Sequence, residues 1–114
     1  MAQRLPKQIC PGTLLPLAVA TFYTVPANTM TTISAATLTN STAIARTVTM
    51  HLVPNGGAAG PANMILSART IAAGESYNVV QAIGQTIHAG ATIQALSDLA
   101  GAVALVASGY ETNP

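Results

Sequence analysis

Apolar and polar positions along this chain alternate mostly with a period of two. The cleanest run is residues 46–53, where Val48, Met50 and Leu52 alternate with Thr47, Thr49 and His51. That period places every second side chain on one face of a strand. The apolar set is expected on the core, with Thr and His outward. Residues 30–39 repeat the pattern but slip near Ala35 and Ala36; a β-bulge there would return Leu38 to the face of Ile33. Residues 13–24 read as a first strand, interrupted at Pro16 and placed at a sheet edge, because proline cannot donate to a ladder. Further strands are expected over 63–71, 77–83, 91–97 and 102–111. In the last of these Val103, Leu105 and Ala107 face one way, and Ala104, Val106 and Ser108 the other. Both sets are apolar or small, which predicts cover on both faces. A helix over 79–88 competes with the strand over 77–83, but Gly84 and its β-branched neighbours disfavour it.

Turn signals punctuate these runs. "IAAGESY" from Ile71 and "IHAGATI" from Ile87 share one pattern, with Gly74 or Gly90 where a strand should end. Glycine takes positive φ without steric cost and permits a sharp reversal. A weaker copy at residues 25–29 puts Asn28 in the glycine position, and asparagine is the next most tolerant residue there. A phosphate-cradling loop would need more glycines, a following helix and usually a lysine. Three uses of one pattern therefore predict a structural turn. Pro54, Asn55, Gly56 and Gly57, continuing through Gly60 and Pro61, predict a long Gly/Ala-rich loop over 54–62, either a mobile excursion or a contact loop. Pro6, Pro11 and Gly12 predict that residues 1–12 form an extended arm outside regular structure. The expected fold is all-β: a single antiparallel β-sandwich or jelly roll of seven to eight strands over 13–114, preceded by that arm.

Composition narrows the job. Only 6% of the 114 residues are charged while half are apolar, so the chain is expected to bury much of its surface against partners. The four basic residues, Arg4, Lys7, Arg46 and Arg69, are scattered rather than clustered, which disfavours nucleic acid. No apolar stretch reaches the ~18 residues of a membrane helix, and no membrane partner is expected. Arg4 and Lys7 precede an apolar run ending in Ala18, Val19 and Ala20, like a secretory signal. Pro11, Gly12 and Pro16 break it, so none is expected. Cys10 is the single cysteine, which excludes an internal disulfide and suits folding in a reducing cytosol.

Chemistry is sparse. His51 and His88 have no acidic neighbour in sequence, and the three acids, Glu75, Asp98 and Glu111, are not spaced to converge. No serine lies in a nucleophile elbow. Neither an enzyme nor a cofactor or metal is expected. Sugar binding is the rival class, and it requires a shallow groove exposing at least two of Phe22, Tyr23, Tyr77 and Tyr110.

The stretches "FYTVPANTMTTISAATLTNSTAIARTVTMHLV", "IAAGESYNVV", "IHAGATIQALSD" and "VALVASGYE" resemble small β-sandwich virion structural proteins of tailed bacteriophages. The matching positions are 23–27, 38–40, Gly74, Gly90 and 108–111. The resemblance implies a non-enzymatic virion structural protein: a capsid decoration, cement or head-spike subunit, folded in the host cytoplasm before assembly. Implied partners are other copies of itself and the major capsid protein or another virion protein. A tail, neck or fibre component, including a carbohydrate-binding adhesion module, is the alternative. Attachment is expected through Arg4, Pro6, Lys7 and Ile9 of the arm and through Asn55, Gly56, Gly57 and Pro61 of the loop.

Overall fold

The computed structural model describes residues 3–113. Among the described residues nine strands are present: β1 (Gln3–Leu14), β2 (Ala20–Thr24), β3 (Met30–Asn40), β4 (Arg46–Val53), β5 (Met64–Ile71), β6 (Ser76–Asn78), β7 (Thr86–Ile87), β8 (Thr92–Ser97) and β9 (Val103–Asn113). All pairings are antiparallel. One sheet runs β1-β9-β3-β6, with β7 also on β3; the other runs β2-β8-β4-β5. The short strands β6 and β7 share one edge of β3 and behave as halves of a single strand. Merging them leaves the first, eighth, third and sixth strands in one sheet and the second, seventh, fourth and fifth in the other. That is a jelly roll, the second of the two expected architectures.

The period-two pattern delivers the core. Val48 and Met50 of β4, Ile93 and Ala95 of β8, Ile33, Ala36 and Leu38 of β3, and Val103, Leu105 and Ala107 of β9 all turn inward and are buried. The expected bulge in β3 is present. Its register against β9 shifts between Ile33 and Ala35, so Ile33 and Leu38 share the core face while Ser34 and Ala35 are exposed. Facing it on β9 is Gly109. A Cβ there would overlap the Thr32 carbonyl oxygen and lie 2.9 Å from Ile9 Cδ1.

The repeated turns are also as expected. Gly74 (φ 72), Gly90 (φ 83) and Asn28 (φ 57) all occupy the left-handed region. Glu75 N–H donates to Ala72 O, and Ala91 N–H donates to His88 O, closing the two glycine turns identically. Fully buried Asn40 braces one end of the sandwich. Its amide donates to the carbonyls of Ile44, Ile71 and Ala72, and its oxygen accepts from Thr42 N–H and the Thr42 hydroxyl.

Four expectations need correcting. Residues 3–14 are not outside regular structure: β1 pairs with β9 along its length. Pro6 and Pro11 are tolerated because β1 is an edge strand, and two register shifts absorb the mismatch. Residues 13–24 are not one strand, because the chain leaves the first sheet after Leu14 and enters the second at Ala20. Residues 77–83 are a strand only through Asn78. Val79 N–H then donates to Ala36 O, and the chain loops out in consecutive turns before Gly84 N–H returns to Ile33 O, opposite the β3 bulge. Finally, the outer face of β9 is not covered: Val106 is 45% exposed.

Tyr23 ties the sheets together. Its hydroxyl donates to Glu111 Oε2 on β9 and lies 2.7 Å from Thr31 Oγ1 on β3. Burial first, and then the hydrogen bond to the Glu111 carboxylate, hold the phenol up at about 12 against the usual 10.0. Because the folded value is raised, this contribution to stability is complete below the unfolded value and is lost as pH climbs from there toward about 12. An ultraviolet titration of the folded protein should show one tyrosine ionising near that upper value, and Glu111→Gln should bring it down.

Two substitutions test the packing by denaturant midpoint. Gly109→Ala should cost about 3 kcal/mol, the upper range for overpacking, because the obstructing atom is backbone. Ala68 sits at φ 47 in a register shift of β5. Ala68→Gly should therefore stabilise by about 1 kcal/mol, by relieving left-handed strain.

Candidate functional site

The residues expected to attach fall into two groups. On β1, Arg4, Pro6 and Lys7 are exposed, opposite Thr112, Tyr110 and Gly109 of β9. The Arg4 guanidinium lies 4.1 Å from the Tyr110 ring centroid, a cation–π contact. Pro6, Lys7 and Gln8 line a shallow depression with Ser34, Ser108 and Tyr110. Ile9 does not belong with them. It is buried at 4% exposure and packs in the core beside Cys10. An apolar side chain on the inward face of an edge strand gains more from burial than from exposure, so its assignment to attachment is corrected.

The second group lies on the loop between β4 and β5, and this loop is an organised structure. Gly57 N–H donates to Pro54 O, closing a turn with Gly56 at φ 80. Pro61 opens a 3-10 turn, Pro61–Asn63. The Asn63 carboxamide pins the rest: its oxygen accepts from Gly60 N–H at 3.1 Å, and its NH2 donates to Ala58 O at 2.9 Å. His51 Nδ1 lies 2.9 Å from that same oxygen and 3.2 Å from Gly60 O. Two acceptors face it, so Nδ1 carries the proton. The loop thus folds back over β4 and buries His51, which the alternation had placed in solvent. It is no free excursion.

Asn55 joins this loop to the turn before β8. A Cβ on Gly90 would lie 2.5 Å from Asn55 Cγ. Gly90 is favoured by its φ, and any side chain there would push Asn55 aside. Asn55 and Pro54 line a cleft of about 290 Å³ with Gln85, Thr86, Ile87 and His88. A second cleft of about 400 Å³ shares Leu52, Pro54 and Gln85 with it. Neither includes a residue of β1. The two groups stay apart, one on an edge strand of the first sheet and the other between the last two strands of the second sheet.

Little here can do chemistry. Among the described residues, no three His, Cys, Asp or Glu side chains gather to hold a metal ion. Glu75 and Asp98 are exposed in turns, and Glu111 is engaged by Tyr23. Of the aromatics, Phe22 and Tyr23 pack against the core, and Tyr77 lies under Arg69 at 4.4 Å just as Tyr110 lies under Arg4. A guanidinium covers one face of each of these two rings.

One surface went unread in the sequence. Leu14, Leu17, Val19, Leu99 and Val106 are exposed at 56%, 62%, 43%, 43% and 45%. Hydrogen bonds from Leu15 N–H to Val103 O, Gly101 N–H to Leu15 O and Ser97 N–H to Pro16 O bind the β1–β2 and β8–β9 loops into one corner. Val106 borders it, since a Cβ at Gly12 would lie 4.0 Å from its Cγ2. A single strand over 13–24 hides this corner, because Leu17 and Val19 lie in the connection between β1 and β2 that such a strand would run straight through.

No protein-family model matches the chain, and no curated protein sequence matches it. Solved structures of infectious bursal disease virus are similar in fold. The Gx strain structure aligns with a TM-score of 0.49 and 9% identity, covering 98% of this chain and 32% of that one. The VP2 subviral particle aligns at 0.45 and 11%, covering 97% and 32%. The T13 viral particle aligns at 0.46 and 8%, covering 98% and 30%. This chain thus spans about a third of the length of the chains it matches.

Proposed function

We propose that this chain is a non-enzymatic virion structural protein that associates with copies of itself, serving as a capsid decoration, cement or head-spike subunit of a tailed phage. The observation that carries the reading is the uncovered apolar corner formed by Leu14, Leu17, Val19, Leu99 and Val106. Large contiguous apolar patches are rare on monomeric proteins and mark contact surfaces. The low charge of the chain supports the same reading, since only seven of 114 side chains are formally charged. The jelly roll recurs in viral capsid domains, but also in lectins and cupins, so the fold supports the virion reading by analogy only.

In this reading the corner meets another copy, and the outlying groups meet a second virion protein such as the major capsid protein. Arg4, Pro6 and Lys7 would supply one contact, and Asn55, Gly56, Gly57 and Pro61 the other. The adhesion alternative has less support, because Phe22 and Tyr23 pack against the core and a guanidinium covers one face of Tyr77 and of Tyr110.

Deleting residues 1–12 is not a clean test, since it removes Ile9 and Cys10 from the core. Leu17→Asp combined with Leu99→Asp changes only exposed side chains. Sedimentation should show the native chain as an oligomer and the double variant as a folded monomer. A native chain that stays monomeric at high concentration, or a variant that still associates, would refute the reading.

A further inference from the structure

Six asparagines occur in the chain, at 28, 40, 55, 63, 78 and 113, and only Asn55 precedes a glycine. Spontaneous loss of the asparagine amide requires the following backbone nitrogen to attack Cγ. A residue without a side chain leaves that approach open. The structure sets Asn55 apart on this point. It is exposed, and nothing lies within 4 Å of the position a Gly56 Cβ would take. The turn's hydrogen bond runs from Gly57 N–H to Pro54 O, and among the described residues Gly56 N–H donates to no acceptor. The attacking nitrogen is therefore free.

The other asparagines are held back. Val79 N–H, which would attack Asn78, donates to Ala36 O. Asn40 is fully buried with its carboxamide saturated, and Asn63 is tied to Ala58, Gly60 and His51. Asn113 precedes a proline, which has no N–H. Asn28 precedes Thr29, a β-branched residue buried at 8% exposure.

We propose that Asn55–Gly56 is a self-modification site, at which the folded protein converts Asn55 to aspartate and isoaspartate, the isoaspartate moving the β4–β5 loop off the β7–β8 turn through its added methylene. Gly56 N gives up its proton and bonds to Asn55 Cγ, and the side-chain nitrogen leaves as ammonia. Water then opens the resulting five-membered imide. Opening at Cγ yields aspartate; opening at the main-chain carbonyl yields isoaspartate, with one methylene added to the backbone. The sum is one water consumed and one ammonia released, with no change of oxidation state.

The consequence follows from the packing. Asn55 sits directly on Gly90 and walls the cleft shared with Gln85, Thr86 and His88, where no acidic side chain lies. Either product places a carboxylate there and takes the formal charge from +1 to 0, one unit lower. Isoaspartate also displaces the side chain from Gly90.

The test keeps the native full-length protein folded in neutral buffer at body temperature, with peptide mapping over time. Cleavage at Arg46 and Arg69 yields one peptide carrying both Asn55 and Asn63, so each reports on the other. Asn55 should convert at least about tenfold faster than Asn63, and Gly56→Ala should slow it by about the same factor. Asn55→Gln, which lacks the five-membered route and leaves the backbone unchanged, should retain its amide and keep the aged loop resistant to protease. Conversion of Asn55 only in urea would overturn the proposal, as would equal rates at Asn55 and Asn63.

Discussion

The seat of β9 between β1 and β3 is the constraint on which the rest of the structure depends. The last strand in sequence is an interior strand of the first sheet, paired on one side from Gln3 to Leu14 and on the other from Met30 to Asn40. Its inner side chains, Val103, Leu105 and Ala107, are a large part of the core. Gly109 lets the bulged β3 and the edge strand β1 close on it together, since any side chain there meets backbone on one side and Ile9 on the other. Such pairing joins the two ends of the chain. Pairing of segments this far apart in sequence makes for slow folding.

That arrangement also decides which surfaces remain. With β9 flanked in its own sheet, its outward Ala104 and Val106 have nothing above them, and the crossovers on either side bring Leu17 and Leu99 to the same corner. The opposite end is occupied differently. There Val25 N–H donates to Ala91 O and Gly90 N–H donates to Val25 O, so two of the three repeated turns are pinned to each other, with Asn55 resting on the second. The first end carries the uncovered apolar corner beside the buried Asn40 network, while at the other the β4–β5 loop is fitted closely against the turns.

What was legible in the sequence was what local rules decide. Left-handed geometry at Gly74, Gly90 and Asn28 follows from which residues accept positive φ. The β3 bulge follows from a slipped alternation between Ile33 and Leu38. What was not legible depends on distant partners. Pro6 and Pro11 forbid a central strand but not an edge strand, and only the presence of β9 tells the two apart. His51 points to the outer face as its alternation demands, yet Asn63 and Gly60 bring the loop down over it. The strand over 77–83 stops early because β3 bulges opposite it. The two attachment groups were readable as residue types, but their separation on different sheets was not.

The account rests on the apolar corner being a contact between copies. Hydrogen–deuterium exchange measured across a range of protein concentrations addresses this residue by residue. The account predicts that backbone amides in residues 14–19 and 98–106 gain protection as concentration rises, while those of the 54–62 loop do not change. Exchange independent of concentration, or protection appearing only along the β5 edge, would contradict it.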